Sequence, residues 1–221
     1  CARILAKAAN CLQPVNGDPC NQCEACRSIN DGSATDVFEL DAAAYTGVDS
    51  IRDLRDEAVY APAELKKKVY IMDEVHMLSQ SAFNALLKIL EEPPEHVMFI
   101  LASTELHKIP ATILSRCQRF EFRRIERRDI ARRLMKVAAE EGIPLAESGA
   151  STIAHMSDGA MRNALSLLEQ ASALSGSGVT LDSDGVAKAL GLVTAEALLE
   201  CAGMIAAGDV KSTLTLFTEQ Y

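Results

Sequence analysis

The chain has 221 residues, 48% of them hydrophobic and 24% charged, with a net charge of −9. That length suffices for one large domain or two modest ones with real cores, and that composition excludes disorder as a main theme. No apolar run approaches the roughly 18 residues of a membrane helix, no secretory leader is visible, and the acidic balance argues against coating nucleic acid by global attraction. A cytoplasmic protein is expected.

Residues 1–9 place Ile4, Leu5 and Ala8 on one helical face but have no cap, so the chain opens as though already inside a helix. Four cysteines follow in the spacing C-x8-C-x2-C-x2-C: Cys11, Cys20, Cys23 and Cys26. Thiols in a leaderless chain stay reduced, so a disulfide framework is not expected. Four thiolates within sixteen residues can surround one tetrahedral zinc, with Zn–S distances of about 2.3 Å. An iron–sulfur cluster is the rival, but its motif wants a further cysteine where Asn30 stands. Four protein ligands leave no open coordination position, which makes the expected metal structural.

A strand signal spans 36–40, and Gly47-Val48-Asp49-Ser50 opens a helix with Asp49 or Ser50 as its N-cap and Ile51, Leu54 and Val59 as its apolar positions. The basic triplet Lys66-Lys67-Lys68 leads into Val69-Tyr70-Ile71-Met72, which ends abruptly in Asp73-Glu74. An apolar run bounded by charge reads as a buried strand of a parallel sheet, and the carboxyl ends of such strands are where open α/β sheets bind ligands. In P-loop nucleotidases the first acid there holds magnesium and a following Glu polarises the attacking water. The plainer alternative is that the two acids begin a solvated loop.

A helix capped by Ser79 or Ser81 carries Phe83, Leu86, Leu87 and Leu90 on one face and stops at Glu91-Glu92-Pro93-Pro94. A third strand, 97–102, ends in Ser103-Thr104; a short helix at 111–115 and an alternating strand Arg119-Phe120-Glu121-Phe122 follow. Alternation of strand and helix predicts a largely parallel sheet covered on both faces. From Glu126 the pattern is all-helical, with helices over 127–141, 146–156 and 160–173 forming a small bundle, then turn-rich spacers and a last segment, 194–221, too short for its own core. Arg123, Arg124, Arg127, Arg128, Arg132 and Arg133 make either a phosphate-contacting surface or a solvated face interleaved with Glu126 and Asp129. His76, His96, His107 and His155 lack a second ligand at metal spacing and are expected to be structural or surface residues.

Taken in order, the four-cysteine insertion, Val69-Tyr70-Ile71-Met72-Asp73-Glu74-Val75-His76, Ala85-Leu86-Leu87-Lys88 with Glu91-Glu92-Pro93-Pro94, Ser115-Arg116-Cys117-Gln118-Arg119-Phe120 and Gly159-Ala160-Met161-Arg162-Asn163-Ala164 resemble the gamma and tau subunits of bacterial DNA polymerase III, the ATP-driven motor of the sliding-clamp loader. The resemblance implies an α/β fold of the P-loop AAA+ type. Its parts would be a nucleotide-binding core over 1–124 with a zinc module at 11–26, a three-helix lid over 125–178, and a linker with the start of a truncated helical collar over 179–221. It implies Asp73 and Glu74 as the Walker B pair, magnesium ligand and water-orienting base, and Thr104 as the first sensor of the phosphates. Arg116 would be an arginine finger acting in trans, and Arg162 a second sensor reaching the nucleotide from the lid. Zinc, and ATP with magnesium, are the implied cofactors. The implied partners are the delta and delta-prime subunits, further gamma/tau copies, the sliding clamp and primer-template DNA, with no membrane.

One departure qualifies the resemblance. The phosphate-cradling G-x-x-x-x-G-K-[ST] does not occur in the 221 residues, and the strand that feeds it in the family, which would lie between 97–102 and 119–122, is absent with it. These residues alone are therefore expected to bind nucleotide poorly and not to hydrolyse ATP. The alternative reading is a non-hydrolysing subunit of the same ring, similar to delta-prime, that offers only the arginine finger and the zinc module.

Overall fold

The structure is a computed structural model that describes residues 1–44, 47–176, 179–191 and 195–212. The chain divides into two compact units, Cys1–Phe120 and Glu121–Tyr221.

The first unit is built on three parallel strands in the order β1 (Val37–Asp41), β2 (Lys68–Asp73), β3 (Val97–Leu101). Lys68 to Met72 of the central β2 are all buried, and alternate residues serve opposite faces. Val69 and Ile71 pack with Ala6 of α1 (Ala2–Asn10) and Ile29 of α2 (Glu24–Asp31). Tyr70 and Met72 pack with Ile51 and Leu54 of α3 (Val48–Ala58) and with Phe83 and Leu86 of α4 (Gln80–Glu91). This two-sided burial explains why the strand reads as an uninterrupted apolar run.

Across the strands, Phe38, Tyr70 and Phe99 stand in register and stack, with ring centroids 4.9 and 5.3 Å apart. Each such pair adds roughly 0.5–1.5 kcal/mol beyond its area burial. The third lysine of the basic triplet, Lys68, is buried beside this ladder, its Nζ 5.7 Å from the Phe38 ring centroid and donating to the Glu57 carbonyl at 3.2 Å. Ser79 caps α4 by accepting the Ala82 N–H at 3.2 Å. The cap of α3 is Gly47 rather than Asp49 or Ser50, and Val59 lies past the end of that helix and is exposed. Beyond β3 come a 3-10 turn at Leu106–Lys108 and α5 (Ala111–Leu114).

The expected strand over 119–122 does not form: the segment is irregular, and Phe120 and Phe122 are exposed. An alternating sequence becomes a strand only when a neighbour takes its N–H and C=O groups. Among the described residues no strand pairs with the outer edge of β3.

The second unit packs α6 (Arg127–Glu141), α7 (Glu147–Met156), α8 (Met161–Ser175) and α9 (Ser183–Ala189) around Ile130, Leu134, Ile153, Leu168, Leu181 and Val186. Leu181 and Val186 are fully buried in this core, so residues 179–190 are part of it and not a linker as expected from sequence. Leu181 pairs with Leu145: its N–H donates to the Pro144 carbonyl at 2.7 Å, and its own carbonyl accepts the Ala146 N–H at 2.9 Å. Gly149 of α7 faces that carbonyl so closely that a Cβ there would lie 2.2 Å from the Leu181 oxygen. A last helix, α10 (Ala195–Ala206), follows, and the expectation for 213–221 lies outside the described residues.

Candidate functional site

The carboxyl ends of β2 and β3 bring the predicted acids and the predicted sensor together. Asp73, the last residue of β2, is exposed, and its Oδ1 accepts the Glu74 N–H at 3.0 Å. Glu74 has φ +48°, a left-handed conformation that costs a non-glycine residue of the order of 1 kcal/mol. Strain of this kind gathers where a side chain must be aimed. It turns the Glu74 carboxylate toward the end of β3, where Oε2 accepts the Thr104 hydroxyl at 3.0 Å and the Thr104 N–H at 3.4 Å.

Arg116 belongs to the same unit but makes different contacts. Its Nη2 pairs with Glu91 Oε1 at 2.7 Å, and its Nη1 donates to the Thr112 carbonyl at 2.8 Å. The finger candidate is thus held by the last residue of α4, not by Asp73 or Glu74. Arg162 lies in the second unit, exposed in the first turn of α8 and without an ion-pair partner among the described residues. Within the basic run, three of the six arginines are neutralised at the surface: Arg124 pairs with Asp158, Arg128 with Glu126 and Arg132 with Asp129. That favours a solvated face.

The four cysteines converge: the sulfurs of Cys11, Cys20, Cys23 and Cys26 all lie within 4.8 Å of one another. Tetrahedral zinc with bonds of about 2.3 Å asks for sulfurs roughly 3.8 Å apart, so the cluster fits. Asn16 and Gly17, both with positive φ, close a tight turn between the paired residues Val15 and Asp18, which returns the chain toward Cys11. Backbone N–H groups point at the sulfurs, Cys20 N to Cys11 Sγ and Cys23 N to Cys20 Sγ, each at 3.3 Å. Cys23 is the N-cap of α2 and Cys26 sits in its first turn.

The Leu12 N–H brings the Cys23 thiol down to about 6, and the Cys20 N–H lowers that of Cys11, whereas burial pushes Cys26 up to about 12. The four sulfurs cannot all ionise at this spacing unless a cation joins them. The module is fastened to the sheet by Lys66 Nζ on the Cys11 carbonyl at 2.8 Å and by the Lys67 N–H on Asn10 Oδ1 at 2.7 Å. Lys7 binds it from α1 through Asn21 Oδ1 at 2.7 Å and Asn30 Oδ1 at 3.2 Å.

Residues 1–126 match the family described as "DNA polymerase III, delta subunit", and residues 129–177 match "DNA polymerase III clamp loader subunit, ATPase lid domain". The DNA polymerase III subunit tau of Bacillus subtilis is 56% identical over 175 residues, covering 79% of this chain and 31% of that one. The chain belongs to the DNA polymerase III gamma/tau family of clamp-loader subunits. The tau subunit of Escherichia coli is 45% identical over 213 residues, covering 91% of this chain and 32% of that one, so the chain spans about a third of these relatives' length. Among solved structures, the Holliday junction branch migration motor RuvB of Thermotoga maritima superposes with a TM-score of 0.61 at 16% identity, covering 73% of this chain and 54% of that one. That likeness shows an α/β fold, and the matched lid-domain description makes the family one of ATPases.

Sequence reasoning missed three features of this clamp-loader subunit. His76, set aside for want of a metal partner, has its ring between Glu74 and Glu105. Glu91 was read only as part of a helix stop, yet it holds Arg116. Arg52, Arg55 and Lys88 come together with Ser81 and Asn84 around a cavity of about 280 Å³ between α3 and α4. In sequence, the only hint of that basic groove is that all three cations lie on helix surfaces.

Proposed function

We propose that this chain is the nucleotide-binding part of an ATP-driven motor subunit that loads the sliding clamp onto primed DNA. The observation that carries the proposal is the group Asp73, Glu74 and Thr104: two acids at the end of a buried parallel strand, the second aimed by strained backbone at a hydroxyl just past the end of the neighbouring strand. In this reading Asp73, an exposed carboxylate at the strand end, holds the magnesium of the bound nucleotide, and magnesium there neutralises charge on the phosphates. Glu74 orients the attacking water, Thr104 senses the terminal phosphate, and Arg162 reaches the nucleotide from the lid. Arg116 is offered to the nucleotide of a neighbouring subunit, where such fingers contribute about 10³–10⁵ in rate in other phosphoryl-transfer systems. The phosphate-cradling glycine loop is not among the 221 residues, so this segment alone binds ATP weakly and does not turn it over.

The cysteine module fits zinc, held by Cys11, Cys20, Cys23 and Cys26, whose contribution is to fix α2 and its loop. The partners are other clamp-loader subunits, delta and delta-prime among them, the clamp, and primer-template DNA, all in the cytoplasm. For the DNA part, the cavity between α3 and α4 offers Lys88, which has no ion pair among the described residues, whereas Arg52 and Arg55 beside it are paired with Asp49 and Asp56.

The deciding experiment is Glu74→Gln in the full-length subunit, assembled with its partners. Nucleotide binding is expected to survive while clamp- and DNA-stimulated hydrolysis falls by roughly a hundredfold or more. Unchanged turnover would leave the non-hydrolysing, delta-prime-like reading standing instead. For the groove, Lys88→Ala is expected to weaken DNA binding uniformly across sequences and to make the logarithmic salt slope shallower by about one.

A further inference from the structure

His76 lies two residues beyond Glu74, in the 3-10 turn Val75–Met77, and its side chain is only 8% exposed. Both ring nitrogens face acidic or hydroxyl partners. Nδ1 is 3.2 Å from Glu74 Oε2 and 3.0 Å from Ser103 Oγ, and Nε2 is 3.2 Å from Glu105 Oε2. Glu105 is itself fixed: its carboxylate pairs with Lys108 and its N–H donates to Ser103 Oγ at 3.1 Å. A histidine that only filled space would need one satisfied nitrogen. Here two carboxylates from two separate segments close on one imidazole.

The Thr104 hydroxyl makes the arrangement consequential. It carries a single proton, and in this structure that proton goes to Glu74 Oε2. Thr104 cannot donate the same proton to a phosphate and still hold the glutamate. Once it turns toward a bound nucleotide, the side-chain nitrogen left beside Glu74 Oε2 is His76 Nδ1, 3.2 Å away in an ion-pair contact, its hydrogen bond being to Ser103 Oγ.

We propose that His76, as an imidazolium with a proton on each nitrogen, is a positioning residue for Glu74, ion-paired with its carboxylate at Nδ1 while Glu105 anchors the ring at Nε2. The proposal rests on the reading of Glu74 as the residue that orients the attacking water. His76 touches neither nucleotide nor water. It acts by keeping a long, flexible acid in one orientation, and supporting groups of this kind characteristically contribute about 10- to 100-fold.

The test uses the full-length subunit assembled with its clamp-loader partners, measuring ATP turnover stimulated by clamp and primed DNA together with KM for ATP. An asparagine amide falls near the Nδ1 position of histidine and a glutamine amide near Nε2, so the two substitutions separate the two ties. His76→Leu and His76→Gln are expected to lower kcat about tenfold or more with KM for ATP held within about twofold. His76→Asn is expected to retain kcat within about threefold of the unsubstituted assembly. Equal turnover for the Asn and Gln variants would overturn the proposal, and so would a change confined to KM. If the Leu variant fails to assemble, as judged by gel filtration, the Asn–Gln pair alone decides. Glu74→Gln in the same assembly separates the two ideas. If that variant loses turnover while His76→Gln keeps it, only the positioning role falls; if it keeps turnover, the reading of Glu74 falls as well.

Discussion

Asp36 offers a sharp test of what holds the approach to β2 in place. Its side chain is almost wholly buried and accepts three backbone N–H groups from one loop: Ala63 on Oδ1 at 2.9 Å, and Glu64 and Leu65 on Oδ2 at 2.7 and 2.9 Å. That loop delivers the chain into the strand that ends in Asp73. Replacing Asp36 with Asn keeps the shape but turns one acceptor into a donor. If the amide oxygen takes the Oδ2 place, the Ala63 N–H faces an NH₂ and is left unsatisfied, at a cost of roughly 1–3 kcal/mol. The two remaining bonds lose their charge assistance, about 1 kcal/mol each. Ala63 and Glu64 are exposed, so water recovers part of this. The expected loss is therefore about 3 kcal/mol, a large fraction of the roughly 5–15 kcal/mol that holds a domain together.

The measurement is hydrogen exchange of the β2 amides in the full-length subunit, which reports the opening free energy of this unit by itself. Acidity supplies a second readout. Burial pushes the Asp36 carboxyl up, but the three N–H groups, helped by Lys68, outweigh it and hold the carboxyl below its ordinary value of 3.8. A depressed carboxyl contributes stability that is fully present above its unfolded value and is lost as pH falls through the folded one. The gap between Asp36 and the Asn variant should accordingly be full at neutral pH and shrink below pH 3.8. A cost under about 1 kcal/mol, or a gap that persists unchanged into strong acid, would refute the reasoning.

Cys26→Ser in the full-length subunit should abolish stoichiometric zinc by elemental analysis and loosen the exchange protection of α2, since the buried sulfur in the first turn of that helix is one of the four. Gly149→Ala should destabilise the second unit by about 1–3 kcal/mol, read by exchange of the α7 amides, because the new Cβ would stand 2.2 Å from the Leu181 carbonyl oxygen. Glu91→Ala frees Arg116 from its 2.7 Å partner. If Arg116 is the finger, the variant should slow hydrolysis by the assembled ring several-fold without altering nucleotide affinity of the isolated subunit, which equilibrium titration can check.

The central strand was legible in sequence because it is buried on both faces and ends in charge: Val69 to Met72 form an apolar run that stops at Asp73 and Glu74. The cysteine module was equally legible, since its ligand spacing is local. What stayed hidden depends on residues distant in sequence. His76 meets Ser103 and Glu105 only after β3 has been laid beside β2, so a search for local metal spacing misses it. Leu181 and Val186 look like linker residues until α7 presents Gly149 to Leu181 and Val186 joins the core of the second unit. Residues 119–122 show the opposite failure: a clear alternating pattern that no described neighbouring strand converts into hydrogen bonds.

The same topology bears on how Arg116 could be used. Because β2 and β3 are parallel, α4 must carry the chain back from the carboxyl end of one strand to the amino end of the other. It starts shortly after Glu74 and ends at Glu91, and twelve helical residues span about 18 Å. Glu91 therefore lies toward the end of the sheet opposite Asp73 and Glu74, and Arg116 is paired with Glu91. An arginine side chain cannot cover a separation of that order, so Arg116 in this position does not serve Asp73 and Glu74 of its own chain. If it stabilises charge on a phosphate, that phosphate is bound by another subunit. In the proposed reading, the Glu91 tether would serve to hold a long cation ready for a neighbour's nucleotide. A mixed assembly tests the inference directly. With Arg116→Ala in one subunit only, hydrolysis should be lost at a single site, that of the adjacent subunit, while the altered subunit's own site continues to turn over.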